Sequence, residues 1–208
     1  MTTPARHLRL LRHPLSGHCH RVELLLSLLG VPYQLVHVDL VAGAHKQQEF
    51  LSKNVFGQVP VLEDGDLTLA DSNAILIYLG ERYDTDARFW PRSPQDRAAV
   101  VRWLSVAAGQ LAAGPGAARL VRVFGRQLDH ARAVQIAEQL FALLESELGK
   151  RPYLALATPS LADVAMYAYV KRAPEGDVSL EPYPAIRAWL ARIEALPGFV
   201  PMTSASAA

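Results

Sequence analysis

The sequence is short of cysteine, of net charge and of long apolar runs, and each shortage removes a class of function. Its single cysteine, Cys19, cannot form a disulfide within the chain, and there is no Cys-x-x-Cys pair for dithiol chemistry. A formal charge of +1 offers no basic face to nucleic acid or to an anionic membrane, so neither is expected as a partner. No apolar stretch approaches the ~20 residues that cross a bilayer. Met1–His7 holds no continuous apolar segment of the secretory kind, so no leader is expected there. A reducing, cytoplasmic setting fits these shortages. There is no glycine-rich phosphate loop, no Gly-x-Ser-x-Gly elbow and no His-Glu-x-x-His motif. His13, His18, Cys19 and His20 are close in sequence, but His18 and His20 stand two apart and share no helix face. With no second ligand pair later in the chain, no metal site is expected.

What is present suits two compact domains. The chain has 208 residues, half of them apolar and a fifth charged, enough to bury a real core. Its character changes near residue 85. Before that point strand-like and helix-like segments alternate. Leu8–Leu11 reads as a strand, and Val22, Leu25, Leu26 and Leu29 recur at helical spacing until Gly30 and Pro32 stop them. Tyr33–Val38 reads as a second strand, which makes a βαβ unit with parallel pairing. Gln47–Ser52 reads as a short helix. Val59–Leu62 and Leu67–Leu69 flank Asp64-Gly65, a hairpin signal, and Asp71 or Ser72 caps a helix bearing Ile75, Tyr78 and Leu79. After residue 85 every strong pattern is helical. Ala99–Leu111 is apolar around Trp103 and loosens at Gly109, Gly114, Pro115 and Gly116. Val134, Ala137, Phe141, Leu144 and Leu148 step by three and four. Ser160-Leu161-Ala162-Asp163 is a helix-start signal of the capping-box type, and Ile186, Trp189, Leu190 and Ile193 mark a last helix. The expected organisation is an α/β domain over 1–84, a linker over 85–93 and an all-α domain over 94–208. Thr203–Ala208 reads as a disordered tail.

Several residues read two ways. Pro60 lies inside an apolar strand, where it removes a ladder donor. Either the strand is an edge with a trans proline, or the Val59–Pro60 bond is cis and leaves the Val59 backbone free for an extended ligand. Ser16, between a strand and a helix start, is a turn or N-cap serine, or a hydroxyl that donates to a bound sulfur beside unsatisfied helix N–H groups. Cys19 is a small buried residue or a thiol of lowered pKa. Asp71-Ser72 is a plain cap, or a cradle for a zwitterionic ligand's ammonium and carboxylate. Asp163 reads as structural.

Taken together, Asn54-Val55-Phe56-Gly57-Gln58-Val59-Pro60-Val61-Leu62-Glu63-Asp64-Gly65, then Leu69 to Leu79 with Asp71-Ser72, and Pro159-Ser160-Leu161-Ala162-Asp163 resemble the glutathione S-transferase family. The resemblance runs over about residues 7–200. It implies a thioredoxin-like N-terminal domain with a cis proline at 60, followed by a helical domain. It implies glutathione as co-substrate, held by Gln58, the backbone of Val59, Pro60, Asp71, Ser72 and, near the glycyl carboxylate, His45 with Lys46 beside it. Ser16-Gly17-His18-Cys19-His20-Arg21 is similar to the serine motif of theta- and zeta-like members, which implies Ser16 as the catalytic residue and Arg21 as its support. Val55 replaces the usual proline, Asp71 the usual glutamate, and His18 a zeta-like cysteine, which speaks against a maleylacetoacetate isomerase. The implied chemistry is attack of the glutathione thiolate on a small hydrophobic electrophile. Val106, Gln110, Arg119, Phe124 and Tyr167 are expected to wall that substrate. A homodimer is implied, with contacts around Tyr78 and Trp103. The alternatives are a thiol transferase using Cys19 and a glutathione-binding protein without catalysis.

Overall fold

The computed structural model describes residues 8–205; Met1–His7 and residues 206–208, with the readings that fall on them, lie outside the described residues. The alternating half builds a four-stranded mixed sheet in the order β2-β1-β3-β4. β1 (Leu8–Arg12) and β2 (Tyr33–His37) run parallel, joined by α1 (Gly17–Leu28). α2 (Gln48–Leu51) precedes the hairpin of β3 (Val61–Asp64) and β4 (Leu67–Ala70), which is antiparallel, and α3 (Ser72–Tyr83) follows it. Period-two patterning covers both faces of the sheet. Leu8, Leu10 and Leu62 enter the main core with α1 and α3, while Leu11 and Val61 meet Val38 and Phe50 on the other side.

The hairpin register refines the turn read from Asp64-Gly65. Asp64 pairs with Leu67, so the two-residue loop is Gly65-Asp66, with Gly65 at φ 61°. Asp64 is a buried strand residue whose Oδ2 accepts from the hydroxyls of Tyr78 and Tyr83 at 2.6 and 2.5 Å.

The helical half comprises α4 (Pro94–Ala108), α5 (Ala117–Phe124), α6 (His130–Leu148), α7 (Leu161–Lys171) and α8 (Pro184–Glu194). The loosening expected at Gly109 is seen, since α4 stops at Ala108 with Gly109 at φ −97°, ψ −97°; further on, a wide π-type turn over Ala112–Gly116 carries the chain into α5. Pro115 has no N–H for a regular turn, and a Cβ at Gly114 would come within 2.9 Å of the Ala137 backbone of α6. α7 runs through the centre, with Leu161–Val170 all buried, and packs on α1 and α4. Its start is closed by Asp163, which is buried. The carboxylate accepts from Leu154 N–H, Ser160 N–H and Trp189 Nε1–H at 2.9 Å and from the Ser160 hydroxyl at 3.0 Å.

The segment between α3 and α4 is tightly held. The Asp84 carboxylate accepts from the N–H groups of Arg88, Phe89 and Trp90, the side chains of Phe89 and Trp90 are buried, and Phe89 accepts from Leu161 N–H at 2.9 Å. One apolar core joins residues of both halves. At the far end the expected disorder does not begin at Thr203, because the Ser204 hydroxyl and Ala205 N–H both donate to Glu175 Oε1 at 3.2 Å.

Candidate active site

The register of the sheet decides which loops meet. Leu11 of β1 lies opposite Val61 of β3 in an antiparallel pair. The chain leaving β1 toward Ser16 and the chain entering β3 from Val59 are therefore at the same sheet end. The Val59–Pro60 bond is cis, and Val59 precedes the first laddered residue, Val61. The loop before it is stapled twice. Asn54, buried, donates through Nδ2 to Gln58 O at 2.8 Å and accepts from Phe56 N–H at 3.1 Å, while Lys46 Nζ donates to Gly57 O at 3.0 Å. Gln58 itself is exposed.

Ser16 is the N-cap of α1, its Oγ accepting from Cys19 N–H at 3.3 Å. The cap engages the oxygen and leaves the hydroxyl proton available, so capping and donation to a sulfur are compatible. The loop that carries Ser16 is fixed from the helical half: Arg119 of α5, buried and paired with Glu175 at 2.6 Å, donates from Nη1 to Leu15 O at 2.7 Å. Tyr169 of α7 closes the other side. A Cβ on Gly17 would stand 2.8 Å from its ring, so only glycine admits this approach.

Ser72 opens α3 and faces α1. Its Oγ lies 3.3 Å from His18 Nδ1 and 3.3 Å from Arg21 Nη1, which also donates to Asn73 Oδ1 at 2.8 Å. Asp71 caps α3, with Oδ1 accepting from the N–H groups of Asn73 and Ala74 at 2.9 Å. Its backbone sits at φ 72°, ψ 120°, a conformation costly for a residue with a Cβ and one that clusters at functional sites. The cap engages Oδ1 and leaves Oδ2 for another donor. His45 is half-buried in a tight turn, and burial, then Lys46 and Arg126, lower its pKa. The structure thus brings Ser16, Val59, Pro60, Asp71 and Ser72 to one sheet end, while His45 and Gln58 lie on the stretches that lead into it. Among the described residues no group of three or more His, Cys, Asp or Glu side chains is gathered as for a metal ion.

Cys19 does not compete with Ser16. Its side chain is 1 % exposed, and burial pushes the thiol up to about 11 despite the bond from Ser16. At pH 7 that leaves about one thiolate in ten thousand. Burial thus speaks against Cys19 as a low-pKa nucleophile: the helix start that would favour a thiolate is outweighed by desolvation. Treatment of the folded protein with glutathione disulfide is expected to give no mass adduct at Cys19, with modification appearing only after denaturation. An adduct on the native protein would restore the thiol-transferase alternative.

Of the expected substrate wall, Arg119 and Phe124 are near the Ser16 loop, the Phe124 ring lying 6.3 Å from that of His13. Gln110 lines an open depression of about 750 Å³ with Ala112, Arg132 and Ile136. Tyr167 is instead buried against His20 of α1 and against Phe199, and its hydroxyl donates to Glu194 at 2.9 Å. The tyrosine at the site is Tyr169, which no local signal separates from Tyr167. Of the residues around which dimer contacts are expected, Tyr78 is half-buried and donates to Asp64, and Trp103 is buried in the core.

Comparison with known proteins agrees along most of the chain. The pattern described as glutathione S-transferase, N-terminal domain, matches residues 6–81, and that described as glutathione S-transferase, C-terminal domain, matches residues 127–192. Human glutathione S-transferase theta-2B is 36 % identical over 182 residues, covering 81 % of this chain and 73 % of that protein. A crystal structure of a glutathione S-transferase from Pseudomonas fluorescens superposes with a TM-score of 0.89 at 32 % identity, covering 95 % of this chain and 99 % of the other. Human theta-2, solved with glutathione and an unknown ligand, gives 0.82 at 33 % identity, with coverage of 91 % and 82 %.

Proposed function

This chain belongs to the glutathione S-transferase family, and on that premise we propose that it is a glutathione transferase in which Ser16 activates the bound thiol. The observation that carries the proposal is the convergence of the Ser16 cap, the cis Val59–Pro60 bend and the Ser72 helix start at one sheet end. Val59 offers backbone groups to the cysteinyl part of glutathione, Asp71 and Ser72 receive the γ-glutamyl end, and His45 with Gln58 flanks the remainder. The thiol gives its proton to solvent. The thiolate is held by the Ser16 O–H and the positive end of α1. Its electron pair then forms the S–C bond to an electrophilic carbon, and a leaving group departs with its own pair, or an activated double bond takes it up. Most of the acceleration comes from thiolate stabilisation and orientation, with no covalent enzyme intermediate. The family reading carries with it a homodimer and a cytoplasmic location.

Isothermal titration with glutathione, paired with turnover of a panel of electrophiles, tests the proposal. Saturable one-site binding and turnover of at least one electrophile are expected. Binding without turnover of any electrophile would favour a non-catalytic binder. No binding would remove glutathione from the reading altogether.

A further inference from the structure

Arg21 carries a buried charge whose bonded partners are all neutral. Its side chain is fully buried; Nη1 donates to Ser72 Oγ and Asn73 Oδ1, while Nε and Nη2 have no partner among the described residues. The acidic groups that act on it are Tyr169, Asp71 and Cys19. Burial holds the Tyr169 and Cys19 protons on, which leaves Asp71, a carboxylate turned to capping α3 that forms no ion pair with Arg21 among the described residues. A buried cation matched this poorly is costly unless something else supplies the anion.

The hydrogen-bond inventory around Ser72 indicates what that is. Arginine can only donate, so Ser72 Oγ accepts from Arg21. His18, edge-on to Tyr169 with ring centroids 5.1 Å apart, places Nδ1 3.3 Å from the same oxygen. Burial keeps its imidazole neutral, down to about 3. With the proton on Nδ1, both neighbours fill the two lone pairs of Ser72, and its own O–H is left to give outward. Asp71 has taken the N–H groups of Asn73 and Ala74, so the side chain of Ser72 carries much of what the helix end can offer an anion.

We propose that Arg21 and His18 act through Ser72 as positioning residues, making it a dedicated donor to the α-carboxylate of the γ-glutamyl group, with the Arg21 charge matching that carboxylate across the hydroxyl. The proposal rests on the glutathione reading above. Neither residue touches the ligand, so the effect is on discrimination between ligands with and without this carboxylate.

The test compares affinities of the full chain for glutathione and for 4-aminobutyryl-cysteinylglycine, the same tripeptide without its α-carboxylate. The native protein is expected to prefer glutathione by at least about tenfold. His18→Phe keeps a ring against Tyr169 but has no donor, and Arg21→Gln removes the charge. Each is expected to erase most of the preference by weakening glutathione alone, so that the loss falls on KM rather than kcat. His18→Asn, whose amide nitrogen stands near the place of Nδ1, is expected to restore it. If Arg21→Gln fails to fold, the two His18 variants carry the test. Equal weakening of both ligands, or a preference unchanged in the variants, would overturn the assignment. A native protein that binds both ligands equally would overturn it while leaving glutathione in place, and one that binds neither would remove the glutathione reading as well.

Discussion

Ser16→Ala is expected to lower kcat/KM for every accepted electrophile by about two orders of magnitude, the usual cost of removing one donor aimed at developing or bound negative charge. The sign follows from the hydroxyl's role. In the proposed role it stabilises the thiolate and not the thiol, so its loss is expected to raise the pKa of bound glutathione, by about one to two units if the whole effect is at the sulfur. A pH titration of the thiolate absorbance of the complex reads this directly, and rate and pKa must move together. The same hydroxyl caps α1 through Cys19 N–H, so the variant also loses about 1 kcal/mol of stability. Ser16→Thr separates the two effects, since threonine keeps both the cap and the proton, and it should retain most of the turnover. Unchanged turnover in Ser16→Ala would remove the serine from the mechanism. The Arg119 bond to Leu15 O anchors the loop one residue from Ser16 through a buried ion-paired guanidinium, which would hold the proposed donor in place.

The largest loss of stability is expected at Asp163. Its carboxylate satisfies three buried N–H groups and a hydroxyl at the start of a helix with no access to water. Asp163→Ala strands all of them, and α7 cannot recruit solvent in their place. The expected cost is about 3–5 kcal/mol, which for a chain of this size lowers Tm by on the order of 10 °C. Asp163→Asn keeps one oxygen for Leu154 and Trp189 but turns an amide toward the Ser160 donors, and should fall roughly midway. Urea unfolding with an unchanged slope would assign the loss to the native state. A cost below about 1 kcal/mol would mean that the capping arrangement contributes no more than an ordinary exposed cap.

Much of the fold was legible because its signals are local or ordered. The βαβ unit, the hairpin and the Ser160–Asp163 start each depend on residues within a few positions, and the order of Val59-Pro60 and Asp71-Ser72 pointed to one cradle. What was hidden depends on distance through the chain or on burial. Arg119 reaches Leu15 across 104 residues. Tyr167 and Tyr169 are two apart on one helix, about 200° of rotation, and only packing decides which meets Gly17 and His18 and which meets His20. Cys19 and Ser16 compete on equal terms in sequence, and desolvation separates them. Gly109 does end α4, but Gly114 to Gly116 form a wider turn that leads into α5, a geometry that glycine and proline signal only as a weakened regular turn.

The contact between Gly17 and Tyr169 limits how modular this protein is. The first turn of α1 belongs to the α/β half, yet the space for its missing side chain is filled from the helical half. Expressed alone, a fragment ending at Tyr83 would bare the α1 surface that Tyr169 covers and lose the Arg119 anchor of the Ser16 loop. Exchange of either half with a relative would need positions 17 and 169 to travel together, a coupling that a domain boundary drawn on the chain does not reveal.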